Sequence, residues 1–446
     1  MQPNTLLDAL LDEAGISNAG LAARVNQAGR ARGLSLRYEH TAVARWLKGQ
    51  RPRGQVPDLI CEVLAARLHR ALTLSDIGLG VGGDWGTGSG SPLSGFVERA
   101  TALWRSDEQQ RRHVIEAPAV TGTPAVMPVW EWENPPEDAD VSRSGQTRVS
   151  MADIWMLRAA RAHYELMYRR AGGIATRARI VGFLNSETAP LLRGAYSDGL
   201  GRQLHRATGG LVAVAGICAY DSDAHGLAQR YFHQGLRLAK ASGDRGLGAY
   251  VIALLVTQSL FLSEHRQAVA FAEAALRAAG GQITPALAAD LYVMQAKAYA
   301  NLGDRASALR CIRRAELEVE RIQPGYEPDE TGYVQPGLVN VQAAEALLSL
   351  GDLKAAREQA TAAVGTPAHD RGRVHRLAML CQIELRQGEP DRAAEAAVEM
   401  AERARGMESQ RLRDRLREVR EQLAVSGSSH AEEAAGLIDE SLRVPL

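Results

Sequence analysis

From residue 150 onward the chain repeats itself, and this repeat limits its fold more than any other feature. The segment LYVMQAKAYANLGDRASALRCIRRAE begins at Leu291. It places small residues at Ala296, Ala308 and Ala315, Tyr292 and Tyr299 between turns, and Gly303 at a bend. The same offsets fall on Ala344, Gly351, Ala356 and Ala363 in the next copy. Earlier copies carry them at Val256, Ser263, Ala268 and Ala275, and at Gly216, Asp223, Ala228, Phe232 and Gly235. A last copy is centred on Gly388 and Ala393. The bends at residues 223, 263, 303, 351 and 388 are spaced by 40, 40, 48 and 37 residues. A single helix pair cannot bury its apolar face alone. Stacked pairs bury a continuous seam, and small residues let the helices approach. The pattern predicts an all-α chain with an α-solenoid over residues 151–423, in which 151–210 add one or two degenerate pairs.

Composition agrees with this reading. Aromatic residues make up 5% of the chain and alanine is abundant, which favours close-packed helices over a sheet. Cys61, Cys218, Cys311 and Cys381 lie far apart, so they read as small buried hydrophobes of a reducing cytoplasm. No apolar run approaches the ~20 residues of a membrane span. The first residues, MQPNTLLDALLDEAG, carry acids where a signal peptide has bases. The sequence therefore predicts a cytoplasmic protein with no membrane segment. Histidines are scattered, without His-x-x-x-His, and there is no Gly-x-Ser-x-Gly. No catalytic residue, metal ligand or cofactor is predicted, and the chain does not read as an enzyme.

The repeat resembles the tetratricopeptide repeat, with connections longer than the strict 34 residues of that family. A superhelix of such units curls around a concave groove, and grooves of this kind hold peptides or partner helices. The repeat's geometry then points Tyr220, Tyr250, Lys297, Asn301, Glu345, Gln382 and Arg386 into the groove. Each position also reads as part of a solvated polar face. Lys297, Asn301 and Arg386 suit an anionic end of an extended peptide.

The first eighty residues are a separate head. Leu6, Leu7, Leu10 and Leu11 stripe a helix that ends at Gly15. Ser17 or Asn18 caps a second helix, which runs to about Ala28. Leu59, Ile60, Val63, Leu64 and Leu68 outline another from Pro57 to His69. Between them runs HTAVARWLKGQRPR, from His40 to Arg53. Val43, Trp46 and Leu47 form one apolar helical face, and Thr41, Arg45 and Lys48 form a basic one. Thr41 or His40 can cap this helix, Gly49 suits the left-handed position after it, and Pro52 stops it. From Arg24 to Arg53 eight basic residues face one acid, Glu39, in a chain whose 52 basic and 52 acidic residues cancel. Such a block is the electrostatic footprint of a phosphate-binding surface. His40, Thr41, Arg45, Lys48, Arg51 and Arg53 are the predicted contacts to double-stranded DNA.

This run resembles the recognition helix of Cro/repressor-type (XRE-like) helix-turn-helix proteins, with Leu21-Ala22-Ala23-Arg24 similar to their preceding helix. A longer insert, from Gln27 to Glu39, replaces the usual tight turn. The same resemblance implies a dimer, because one short helix reads few bases.

The sequence divides into the head at 1–80, a linker at 81–150, the array at 151–423 and a tail at 424–446. Gly80 to Gly95 is flexible by composition and lacks the Gly-Lys-Ser/Thr of a phosphate loop. Phe96 to Ile115 reads as one helix. Ala117 to Arg148, rich in proline and acid, reads as an extended connector whose Trp130 and Trp132 pack on a neighbour or bind something. Leu412, Leu416, Val419 and Leu423 stripe a helix that serves as the array's cap or as a dimer seam.

Head plus array resembles the peptide-responsive quorum-sensing regulators of Gram-positive bacteria. With four lysines against 48 arginines, it looks most like actinomycete developmental regulators. The resemblance implies a cytoplasmic transcriptional regulator that dimerises and senses a peptide, protein or small molecule, and controls differentiation or secondary metabolism. The alternative is a protein-interaction scaffold in a signalling pathway with a structural head.

Overall fold

The computed structural model describes residues 4–50, 52–68, 72, 74, 76–79, 93–110, 112–134 and 138–443. They are helical throughout, with no β-strand among them beyond two isolated bridges, Arg143 to Tyr196 and Arg148 to Ala195. No described helix is long and apolar enough to cross a membrane. The chain forms two compact units, Met1–Ser106 and Asp107–Leu446. The glycine-rich stretch expected to be flexible lies mostly outside the described residues.

The first unit contains α1 (Thr5–Ala14), α2 (Asn18–Ala31), α3 (His40–Leu47), α4 (Val56–Leu68) and most of α5 (Leu93–Glu108). Ser17 caps α2 by accepting from the Gly20 amide at 3.1 Å. Gly15 closes α1 in the left-handed conformation, φ 61°. Leu7, Leu21, Val25, Val43, Leu59, Ile60 and Leu64 are wholly buried in one core, with Trp46 beside them.

The second unit begins with α6 (Arg112–Ile115), α7 (Thr123–Glu133), α8 (Met151–Ala171), α9 (Gly173–Phe183) and α10 (Ala189–Leu192). Helix pairs follow: α11 (Asp198–Asp221) with α12 (His225–Ser242), α13 (Arg245–Phe261) with α14 (His265–Ala279), and α15 (Pro285–Asn301) with α16 (Arg305–Glu320). Next come α17 (Pro336–Ser349) with α18 (Leu353–Gly365) and α19 (Asp370–Gln387) with α20 (Pro390–Ala404). The chain ends with α21 (Gln410–Ala424) and α22 (Ser429–Leu442). Each pair packs on the next, and the first helix of each pair also touches the first helix of its neighbours.

The five bends read from the sequence are the five turns within these pairs. Asp223, Ser263, Gly303, Gly351 and Gly388 all have positive φ, between 61° and 80°. Each turn closes in the same way: the amide after the bend donates to the carbonyl five residues back. Examples are Asp304 to Tyr299 at 2.9 Å and Glu264 to Ser259 at 2.8 Å. The repeat alanines Ala268, Ala308, Ala344, Ala356 and Ala393 have no exposed surface. At Gly216 a Cβ would lie 2.6 Å from the Phe232 ring, so α11 and α12 can approach only with glycine there.

Two segments differ from the sequence reading. Residues 117–148 are not simply extended. They include α7, with Pro124 in its first turn, and they lie along the array. Val120 exchanges two hydrogen bonds with the Gln229 amide, both 2.8 Å. Asp138 receives both arms of Arg237, at 2.6 and 2.8 Å. Trp132 is buried against Gly248, while Trp130 is 54% exposed. Polar anchors spaced along the strap fix a segment whose own periodicity signals no structure. The tail also forms a packed helix, α22. Leu412, Leu416, Val419 and Leu423 are buried in the core it shares with α19, α20 and α21, so the stripe caps the array and offers no free dimer seam.

Ser263 sits exposed in a conformation that costs an L side chain about 1 kcal/mol and glycine little. Ser263→Gly should therefore stabilise the array by about 0.5–1 kcal/mol, and Gly303→Ala should destabilise it by about 1 kcal/mol. Urea unfolding of the two variants checks the opposite signs.

Candidate functional site

The exposed side of α3 is held from behind. Val43 is fully buried, Trp46 is 4% exposed, and the Tyr38 ring meets Trp46 edge-on with centroids 5.1 Å apart. Tyr38 belongs to the loop from Arg32 to Glu39, which replaces a tight turn. Asn26 on α2 fastens that loop: its amide nitrogen donates to the Tyr38 carbonyl at 2.8 Å and its oxygen accepts from the Tyr38 amide at 2.9 Å. Gly29 leaves room for Leu36, whose Cδ1 would be 2.5 Å from a Cβ at that position. The loop is thus a rigid spacer between α2 and α3. The helix starts at His40 with Glu39 before it and has no side-chain cap.

His40, Thr41, Arg45, Lys48 and Arg53 are all exposed, and among the described residues no hydrogen bond or ion pair engages their side chains. Arg30 and Arg37 are likewise exposed, with no partner among the described residues. By contrast, Arg24 donates to the Gly20 carbonyl at 3.1 Å, and Arg32 pairs with Glu62 at 2.7 Å. Arg51 lies outside the described residues.

The array treats its predicted groove residues differently. Tyr220 is 6% exposed, and the Arg411 guanidinium from α21 stacks 4.0 Å above its ring. Gln382 is buried and accepts from Arg415 of α21 at 3.3 Å. Tyr250 is buried, with Tyr333 from the α16–α17 connection at 6.4 Å between centroids. Lys297 reaches Glu345 at 2.8 Å and Gln342 at 2.7 Å. Burial works against the Glu345 charge, but Lys297, Arg415 and Arg411 outweigh it and hold the carboxyl below its usual range. Asn301 is exposed and donates back to the Lys297 carbonyl at 2.8 Å. Arg386 is exposed. The chain's own α21 covers Tyr220 and Gln382, and its α16–α17 connection covers Tyr250. Helix-position rules could not reveal this, because they take the groove as empty.

The array is also closed. The carboxylate of Asp221, at the end of α11, has no exposed surface. It accepts from the Gly173 amide at 2.8 Å, from the Ser409 hydroxyl at 2.7 Å and from Arg371 of α19. Beside it the Glu408 amide donates to the Ala171 carbonyl at 2.8 Å. The α8–α9 junction is thereby joined to the segment before α21. The α16–α17 connection adds Glu330, which binds Arg206 at 2.9 Å. Burial alone would raise the Glu330 pKa, but Arg206 and Arg161 lower it.

Two predictions follow from this interior. Arg371→Ala leaves the buried Asp221 carboxylate without its cation and should cost about 3–5 kcal/mol, read as a fall in the urea midpoint of the array. Asp290, buried and accepting from the Tyr333 hydroxyl at 2.6 Å, has its pKa raised to about 6 by burial, against an ordinary 3.8. Its native form therefore holds its proton more tightly than the unfolded chain, so the contribution of Asp290 to stability should fall as pH rises from about 4 to about 6, by about 2–3 kcal/mol. Asp290→Asn should flatten that part of the curve, as thermal unfolding across this pH range would show.

Comparison with known proteins gives one partial likeness. Residues 7–80 match the family model described as the SP15 N-terminal domain. No curated protein matches the chain. The likeness therefore covers the head from α1 to just beyond α4, and leaves α5 and the array outside it.

Proposed function

We propose that this protein is a cytoplasmic transcriptional regulator whose head binds double-stranded DNA through α3 and whose helical array carries the regulatory input. The observation that carries the reading is the contrast across α3. Val43 and Trp46 anchor one face in the core, while Arg45 and Lys48 stand exposed on the other, with no ion-pair partner among the described residues. A protein that used these cations for stability would pair them with acids, as Arg32 is paired with Glu62. A short helix held this way can enter a major groove with its polar face toward base edges. Arg53, in the turn after α3, is placed to meet phosphate.

Two heads are needed to read a site of useful length, so the protein acts as a dimer in this reading. Its seam must lie elsewhere than the Leu412–Leu423 stripe, which the chain buries itself. A regulatory ligand acts by binding one state of the array better than another. The closure at Asp221 gives the array a discrete joined state for such a ligand to favour or oppose.

Arg45→Ala should weaken binding to a selected duplex by about 1–3 kcal/mol and relax base preference, whereas Arg53→Ala should reduce the slope of log K against log salt by about 0.9. Fluorescence anisotropy on selected and random duplexes over a salt series measures both. An affinity that ignores salt, or no duplex binding at all, would favour a protein-interaction scaffold with a structural head.

A further inference from the structure

We infer that the array carries a second site, on the outer side of α15, for a metabolite-sized organic anion with a planar ring. A cleft of about 460 Å³ opens there between α14, α15 and α16. That volume lies in the range of small-molecule sites. Tyr292, Gln295 and Tyr299 reach the cleft from one face of α15, at i, i+3 and i+7. Lys297 and Asn301 lie on the opposite face of that helix, so the cleft is separate from the interior groove.

The cleft has a polar floor and a cationic rim. Gln295 is 4% exposed, and among the described residues none accepts from its amide nitrogen. Its oxygen has only the weak contact of the Cys311 thiol at 4.0 Å. The rim is formed by Arg310 and Arg314 of α16 and Arg277 of α14. Arg277 is already paired with Glu133 at 2.6 Å, and the cleft's one acid, Glu273, accepts from the Tyr299 hydroxyl at 3.3 Å. Among the described residues Arg310 donates only to the Ser307 hydroxyl, at 2.8 Å, and Arg314 has no acid partner. The guanidinium of Arg314 lies 5.5 Å from the centroid of the Tyr292 ring.

These groups share one ligand chemistry. Two uncommitted guanidinium groups take a carboxylate or phosphate, each through a planar fork. The Tyr292 and Tyr299 rings offer faces and edges to a planar group. The Gln295 amide donates to an acceptor at the bottom. Nothing in this arrangement depends on the head binding DNA, so the site stands or falls separately from that reading.

Phenyl phosphate carries both features in one small probe, with inorganic phosphate and phenol as its halves. Isothermal titration of the full chain should show one saturable phenyl phosphate site, about tenfold tighter than inorganic phosphate, with phenol weaker than either. Arg310 and Arg314 are exposed, so Arg310→Gln with Arg314→Gln should leave thermal unfolding unchanged and weaken phenyl phosphate by about tenfold or more. Tyr292→Leu should remove the preference over inorganic phosphate. The proposal is overturned if wild-type protein shows no saturable binding, or if the double variant binds phenyl phosphate as the wild type does.

Discussion

The buried carboxylate of Asp221 is the interaction on which the array's form depends. A stack of helix pairs has contacts only between neighbours, so its two ends are free and its curvature is soft. Here the end of α11, the α8–α9 junction, the start of α19 and the residues before α21 all meet at one side chain with no exposed surface. The carboxylate accepts from an amide, a hydroxyl and a guanidinium, which satisfies its lone pairs. A buried ion pair adds little net stability over an apolar isostere, but a broken one is expensive. Its effect is therefore to specify one geometry. Gly172 and Gly173 permit the close approach, since a Cβ at Gly173 would lie 2.6 Å from that of Asp221.

What the sequence made legible follows from the range of the signals. The bends at 223, 263, 303, 351 and 388 could be read because a left-handed turn and its flanking small residues are local and repeat at fixed offsets. The apolar face of α3 could be read for the same reason. Asp221, Ser409 and Arg371 carry no such signal: they are polar residues far apart in sequence, and nothing periodic marks them as partners. The strap from Ala117 to Val149 was hidden likewise, because its order comes from Gln229, Arg237 and Lys240 on other helices. Tyr220, Tyr250 and Gln382 were placed on the inner face by helix register. Their cover, from Arg411, Tyr333 and Arg415, comes from segments outside the repeat pattern.

The head shows the same division. Leu7, Leu11, Val43 and Leu64 announce its core by spacing. The loop between α2 and α3 does not announce itself, because one side-chain amide, Asn26, does the work of a tight turn across twelve residues. An insert that looks like a departure from helix-turn-helix geometry is thus compatible with a firmly placed α3.

Charge separates the two units more sharply than either fold does. The chain as a whole is neutral, which by itself says nothing about partners. In the array, arginines are largely committed: Arg161, Arg206, Arg237, Arg371 and Arg373 each bind a carboxylate. Arginine suits this use, since its planar fork meets a carboxylate with two parallel bonds and stays charged when buried. In the head, Arg30, Arg37, Arg45, Lys48 and Arg53 are exposed and bind no acid among the described residues. Those charges repel one another and contribute nothing to packing, so they are a cost to the isolated head at low salt. Each is screened by mobile ions in solution. A polyanion placed against them releases those ions and its own, and that release grows with the number of phosphates met. On the reading proposed above, these exposed cations of the head are the charges that a nucleic acid would meet, and the neutral whole-chain charge conceals them.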